Sequence, residues 1–279
     1  MTASRTPDHA PMFDVDVPAP LTLVERLLAL AGLYTEHNDR IDLLFAGTAA
    51  PAPDAYVSSA RRLEREALAC VKAVRQQRLP PVEPVPSAVV RLKQTAYLTS
   101  GATRYLTSAQ QSLPANETGA ARLDRRRGFG QHVRQARELT ALAPATVVES
   151  TTHLAYRLPA KAHARTTVPG MERAQRRSLL MVARGHVAVT GHYEADSHDR
   201  SDSVDTDMLR RLDAQGLVTC DAASAPPFYS SGLPRDRVRL TSLGLSVLST
   251  VIAAPLPASP PAARPVPAPA TAPSARARR

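Results

Sequence analysis

The sequence predicts a mainly α protein, with an N-terminal helical bundle, a smaller α+β domain after it and a disordered tail. Three observations predict this. Apolar residues recur at helical spacing from residue 21 to 158, and no strand-like alternation interrupts them. From 171 to 253 the pattern changes to short helices separated by alternating, valine-bearing stretches. Residues 254 to 279 are proline, alanine and arginine with almost no large apolar side chain, too little to drive folding.

Residues 1–20 contain four prolines and no apolar period, and read as disordered. Leu21 to about Phe45 then places Leu23, Leu27, Leu30, Leu33 or Tyr34, Ile41, Leu44 and Phe45 on one helical stripe. Pro20 suits the helix start, and the polar pair His37-Asn38 marks an expected break. After the AGTAAPAPD loop, Ser58 or Ser59 is expected to cap a helix running through Leu63, Leu68, Val71 and Val74. Four prolines between Leu79 and Ser87 impose an extended connector.

Ser87 opens the longest regular pattern: Leu92, Thr95, Thr99, Ala102, Leu106, Ala109 and Leu113 alternate spacings of three and four. That is a heptad seam rich in small and polar residues, suited to packing inside a bundle. Beyond a polar gap at 114–119, Val133, Ala136, Leu139 and Leu142 form a stripe from which the neighbouring arginines face away. Pro144 to Leu158 repeats the pattern with Val147, Thr151, Leu154 and Leu158 inward. Residues 21–158 thus read as the bundle and 159–170 as a linker.

In the second domain, 171–253, Met171 to Ala183 is a helix offering Leu179, Leu180 and Val182 to a core, with Gly185 ending it. HVAVTGHY alternates like a strand, and EADSHDRSDS is a polar loop. VDTDMLRRLDAQGLVTC, residues 204–220, is a short amphipathic helix stopped by Gly216 and running into a strand. Arg237 to Thr241 forms a further strand, and Ser242 is expected to cap the last helix, LGLSVLSTVI.

The formal charge of +10 is unevenly spread. Residues 1–117 and 171–254 are each neutral, whereas 118–170 carry nine basic against three acidic side chains and the tail adds four arginines. A basic patch is a footprint for polyanions only where it is concentrated, so 118–170 and the tail are the candidates. The two cysteines, Cys70 and Cys220, form no spaced framework, which points to a reducing, cytoplasmic compartment. The first twenty residues lack the apolar stretch of a signal peptide. LSVLSTVIAAPL (245–256) is too short to span a bilayer, so no membrane association is expected.

The order helix, strand, helix, hairpin, helix over 171–252 resembles a winged helix. The residues that carry the resemblance are Leu209 and Leu212 on one helix face, the Gly216-Leu217-Val218 corner, and Arg237-Val238-Arg239-Leu240-Thr241 followed by Gly244 and Leu248. In bacterial regulators of the MarR type, a similar glycine-leucine-valine corner starts the wing, and a strand ending leucine-threonine with a following glycine leads into the last helix. The resemblance implies a DNA-binding regulator in which the amphipathic helix ended by Gly216 is the recognition helix. The chain departs from that pattern at 186–203, which reads as strand and polar loop instead of a compact preceding helix. It departs again at Asp205 and Asp207, which stand at the helix entrance and suit helix capping better than phosphate contact.

The candidate nucleic-acid contacts are Arg122, Arg125, Arg126, Arg127, Arg134 and Arg137 in the basic segment, Arg210 and Arg211 on the amphipathic helix, and Arg235, Arg237 and Arg239 on the wing. Alternate strand positions share one face, so the wing arginines are expected to point together at a phosphate backbone. No aromatic interleaving apart from Phe129 accompanies the basic cluster, which argues against a single-strand stacking platform. No catalytic residues, cofactor or metal site are expected. The chain has no Gly-x-Ser-x-Gly elbow, phosphate loop or dinucleotide fingerprint, and His186, His192 and His198 lack metal-ligand spacing and fit a polar loop. The expected partner is double-stranded DNA, with the bundle serving self-association or a protein partner. The alternative is a protein-interaction adaptor whose winged-helix-like domain never touches DNA.

Overall fold

The computed structural model describes residues 20–47, 53–112, 120–159, 162, 171–190, 204–229 and 232–253, with side chains of 120–126 outside the described set. The N-terminal segment, the 114–119 gap, nearly all of the 159–170 linker, the histidines His192 and His198, and the tail from 254 lie outside it. Among the described residues the chain is mostly helical, with one small three-stranded antiparallel sheet. The elements are α1 (Leu23–Phe45), α2 (Pro53–Gln76), α3 (Val85–Gln111), α4 (Ala120–Thr140), α5 (Ala143–Ala155), α6 (Arg173–Ala183), β1 (Ala188–Val189), α7 (Thr206–Ala214), β2 (Val218–Ala225), β3 (Arg235–Leu240) and α8 (Ser242–Ala253). None of these helices is long and apolar enough to cross a membrane.

Helix α1 starts at a capping box, in which Thr22 and Glu25 satisfy each other's otherwise unpaired backbone amides. It runs unbroken through His37-Asn38, contrary to the expected break. The reason is that these two side chains find polar partners on other elements, so the backbone has no cause to leave the helix. Helix α2 begins at Pro53, five residues before the expected serine cap, because proline is well suited to a first helical turn. Its Leu68 is exposed instead of inward.

The small-residue seam of α3 is buried as expected from Leu92 through Ala109, and Leu113 lies outside the described residues. Its small side chains let neighbours approach closely, and Thr95 and Thr99 return their hydroxyls to carbonyls one turn back. The stripe of α4 holds at Val133 and Ala136, but Leu142 is 77% exposed because the helix ends at Thr140 and the chain turns before it. Val147, Thr151, Leu154 and Leu158 face inward from α5 and its end.

One apolar cluster runs from Val24, Leu27 and Leu63 through Leu154 to Leu179, Leu209, Val238 and Ile252, so residues of 21–158 and 171–253 share a core. A second cluster, including Ile41, Tyr56, Leu106, Phe129 and Val133, fills the other end of the bundle. The sheet order is β1-β3-β2, with Val218 opposite Leu240 and Cys220 opposite Val238. An irregularity between Asp221 and Ala225 interrupts the pairing, which resumes with Ala225 opposite Arg235, and the Asp236 carboxylate accepts the Ala223 amide within the interruption.

Candidate nucleic-acid interface

Helix α7 is anchored by its apolar side. Met208, Leu209 and Leu212 are buried, while Asp205, Asp207, Arg210, Arg211 and Asp213 are exposed. Asp205 is the N-cap, its carboxylate accepting the Asp207 amide at 3.1 Å. Asp207 accepts from Arg210 at 2.6 Å, so one α7 arginine is engaged within its own helix. The entrance of α7 therefore carries carboxylates where a helix dipole favours anions, and the two aspartates fill that role themselves.

The corner after α7 is a tightly interlocked piece of backbone. Gly216 takes φ +67°, a left-handed conformation that ends the helix, and Leu217 donates its amide to the Leu212 carbonyl at 2.9 Å. The Thr241 hydroxyl donates to the Gly216 carbonyl at 2.6 Å and its amide donates to Leu217 at 3.1 Å. A Cβ on Gly244 would stand 1.9 Å from the Leu217 carbonyl oxygen, a contact only glycine permits. The Leu-Thr and glycine signals at 240–244 are thus physically joined to the glycine-leucine corner at 216–217. Thr241, not Ser242, caps α8: its hydroxyl accepts the Gly244 amide at 3.0 Å.

The three wing arginines do not share an open face. Arg237 is only 7% exposed, and its guanidinium grips Asp39 of α1 through two hydrogen bonds of 2.9 and 2.6 Å. Its remaining amine donates to the Gly185 and Val187 carbonyls at 2.7 and 3.2 Å. Asp39 of α1 lies against Arg237, so this position of the strand is turned to the interior and not to a phosphate backbone. Arg239 is half-buried and donates to Asp221 at 3.2 Å. Arg235 donates to the Pro226 carbonyl at 3.0 Å and lies 5.9 Å from the Phe228 ring centre.

The basic segment divides along α4. Arg137 makes a two-pronged pair with Asp42 of α1 at 2.8 to 3.0 Å, and Arg134 sits 5.7 Å from the ring centre of Phe45. Arg127, ten residues earlier, is exposed. Arg122, Arg125 and Arg126 fall within the bounds of α4, and their side chains lie outside the described residues. Helix α6 adds exposed Arg173 and Arg177 beside Arg176, which donates to the Tyr156 hydroxyl at 3.3 Å. These α6 arginines carried no signal in a neutral segment, because counting charge by segment hides local separation.

Sequence reasoning also missed the polar centre of α1. His37 Nδ1 lies 3.0 Å from the Ser59 hydroxyl of α2; Asn38 donates to the Thr140 carbonyl of α4 at 3.0 Å and accepts the Thr140 hydroxyl at 2.6 Å. Asp39 and Asp42 take the two arginines already described. Burial pushes the His37 imidazole down to about 4, with Arg40 and Arg137 reinforcing the shift. Burial also lifts the Asp39 carboxyl above the usual range, against the pull of Arg237. The available signal was a polar run inside an otherwise apolar helical stripe, which signifies either a break or a buried network.

Among the described residues no three histidine, cysteine, aspartate or glutamate side chains are grouped to hold a metal ion. No protein-family model matches the chain, and comparison with curated proteins and with solved structures returns no match.

Proposed function

We propose that the protein is a cytoplasmic, non-catalytic DNA-associated factor built on a winged-helix-like unit, with the helical bundle as its rigid support and a surface for self-association. The observation that carries this reading is α7, whose apolar side is buried while its entire charged side faces outward immediately before a β-hairpin. The interlocked corner from Gly216 to Gly244 supports it, because it ties the residues of the MarR-like pattern together. Since Arg237 serves the interior, we assign the phosphate contacts to Arg122 and Arg125 to Arg127, to Arg211 on α7, and to the tail arginines.

The test is an affinity measurement of the full chain for random-sequence duplex DNA at 50 and 200 mM salt. Binding through several phosphate contacts is expected to weaken steeply with salt, by about 0.9 in log–log slope for each phosphate neutralised. Loss of binding on replacing Arg125 to Arg127 with alanine, but not on replacing Arg210 and Arg211, would put the contact on the basic segment. Absence of binding at 50 mM salt would sink the reading.

The adaptor reading is favoured by a different observation. Helix α3 exposes Val90, Tyr97 and Tyr105, spaced seven and eight residues apart on one side, with Tyr97 75% exposed. A protein partner or second copy seated there would be revealed by sedimentation of wild type against Tyr97→Glu.

A further inference from the structure

A cleft of about 220 Å³ lies between α1 and the sheet unit, walled by Gly32 and Leu33 of α1, Val182 of α6, Val238 and Leu240 of β3, and Leu245 of α8. We infer that this cleft is a binding site for a small, uncharged, largely hydrocarbon molecule of one or two rings. The inference does not depend on the DNA reading.

Size comes first. A sealed apolar cavity of about 150 Å³ suffices to bind benzene. This cleft is open to solvent on one side, so it has room for a single substituted ring or a compact fused pair that it would cover on part of its surface. Shape follows from Gly32. A Cβ added there would meet no heavy atom within 4 Å, so the glycine leaves the α1 wall recessed where any other residue would project into the space. Glycine inside a helix is unfavourable relative to alanine, and its φ here is not of the kind that demands glycine. What its absence of side chain provides at this position is volume.

Chemistry follows from the polar groups at the rim. Glu36 is paired with Arg40, and Arg239 with Asp221, so neither offers an unopposed charge to a ligand. Thr35, beside Glu36 on the α1 wall, returns its hydroxyl to the Ala31 carbonyl at 3.2 Å. The remaining walls are aliphatic. A carboxylate or ammonium would lose hydration on entering without gaining a dedicated partner, whereas an apolar ring would exchange water for methyl groups. The walls come from four elements on both sides of the linker, so an occupant would also tie the bundle to the sheet unit.

The experiment titrates the full chain with benzene and, separately, indole while following methyl resonances and the thermal unfolding midpoint. Saturable shifts at Leu33, Val182, Val238, Leu240 and Leu245, with a raised midpoint, are expected. Gly32→Leu is expected to weaken binding by about tenfold or more by filling the space. Gly32→Ala, the variant safest for folding, is expected to raise the ligand-free midpoint while weakening binding less. Shifts that never saturate, shifts spread over the surface, Gly32→Leu or Gly32→Ala binding as tightly as wild type, or benzoate binding as tightly as benzene would each overturn the inference.

Discussion

Residues 37–42 of α1 and 205–213 of α7 are both polar runs on helices, and the fold uses them in opposite ways. In α1, His37, Asn38, Asp39 and Asp42 reach α2, α4, β3 and α4 again, so one and a half helical turns hold three neighbouring elements. In α7, Asp205 and Asp207 bind, among the described residues, within their own turn, and the charged side is exposed. Composition does not separate the two. What separates them is how much of the helix its neighbours cover: on α1 only a stripe through Arg26, Ala29, Leu33, Glu36 and Arg40 meets water and His37, Asn38 and Asp39 lie inside, whereas on α7 only Met208, Leu209 and Leu212 are covered. The inner run is worth stability, and the outer run is available to a partner.

The sharpest way to break that contrast is at the buried pair. Replacing Asp39 or Arg237 alone with alanine leaves the other charge unmatched and is expected to cost about 3 to 5 kcal/mol in urea unfolding. Asp39→Leu combined with Arg237→Met should recover most of that loss, since apolar side chains of similar volume tolerate the site. A double variant no better than the worse single would show that the pair's carbonyl contacts, not its charge balance, hold the junction.

His37 sharpens the contrast through pH. Its folded value near 4 lies below the unfolded value near 6.5, so between these the unfolded chain binds the extra proton. Stability is then complete above about pH 6.5 and falls as pH drops toward 4, by about 3 kcal/mol from this one group. His37→Gln is expected to flatten the unfolding midpoint across that window; an unchanged slope would mean that other groups set it.

Smaller effects belong to the outer run. Asp205→Ala removes the α7 cap and is expected to lower stability by about 1 kcal/mol. Arg210→Ala breaks a pair whose members are 58% and 66% exposed, and is expected to change stability by no more than about 0.5 kcal/mol. A loss from Arg210→Ala as large as that from Asp205→Ala would mean that the α7 surface is structural after all.

Periodicity carried much of the fold. The α3 seam, the α5 stripe and the α7 apolar side are buried where spacing put them, because each lies on a helix whose one buried side repeats locally. Three features escaped it for one physical reason: they depend on partners distant in the chain. His37-Asn38 looked like a break because Ser59 and Thr140 are not neighbours in sequence. Arg237 looked like a phosphate contact because Asp39 lies 198 residues away. The recess at Gly32 is visible only once α6, β3 and α8 stand around it. Helix ends behaved differently again: Asp205 was legible from local chemistry, whereas Thr241 was overlooked for the adjacent Ser242.

The most direct measurement of the DNA reading, and of the interior role of the Asp39–Arg237 pair, is a duplex DNA titration at stepped salt on three chains: wild type, Asp39→Leu with Arg237→Met, and Arg125→Ala with Arg126→Ala and Arg127→Ala. The expected result is measurable binding whose salt slope is unchanged in the Asp39–Arg237 variant and lowered by about two to three in the triple arginine variant. No binding at low salt, or a slope that falls with the Asp39–Arg237 variant and not with the triple arginine variant, would contradict it.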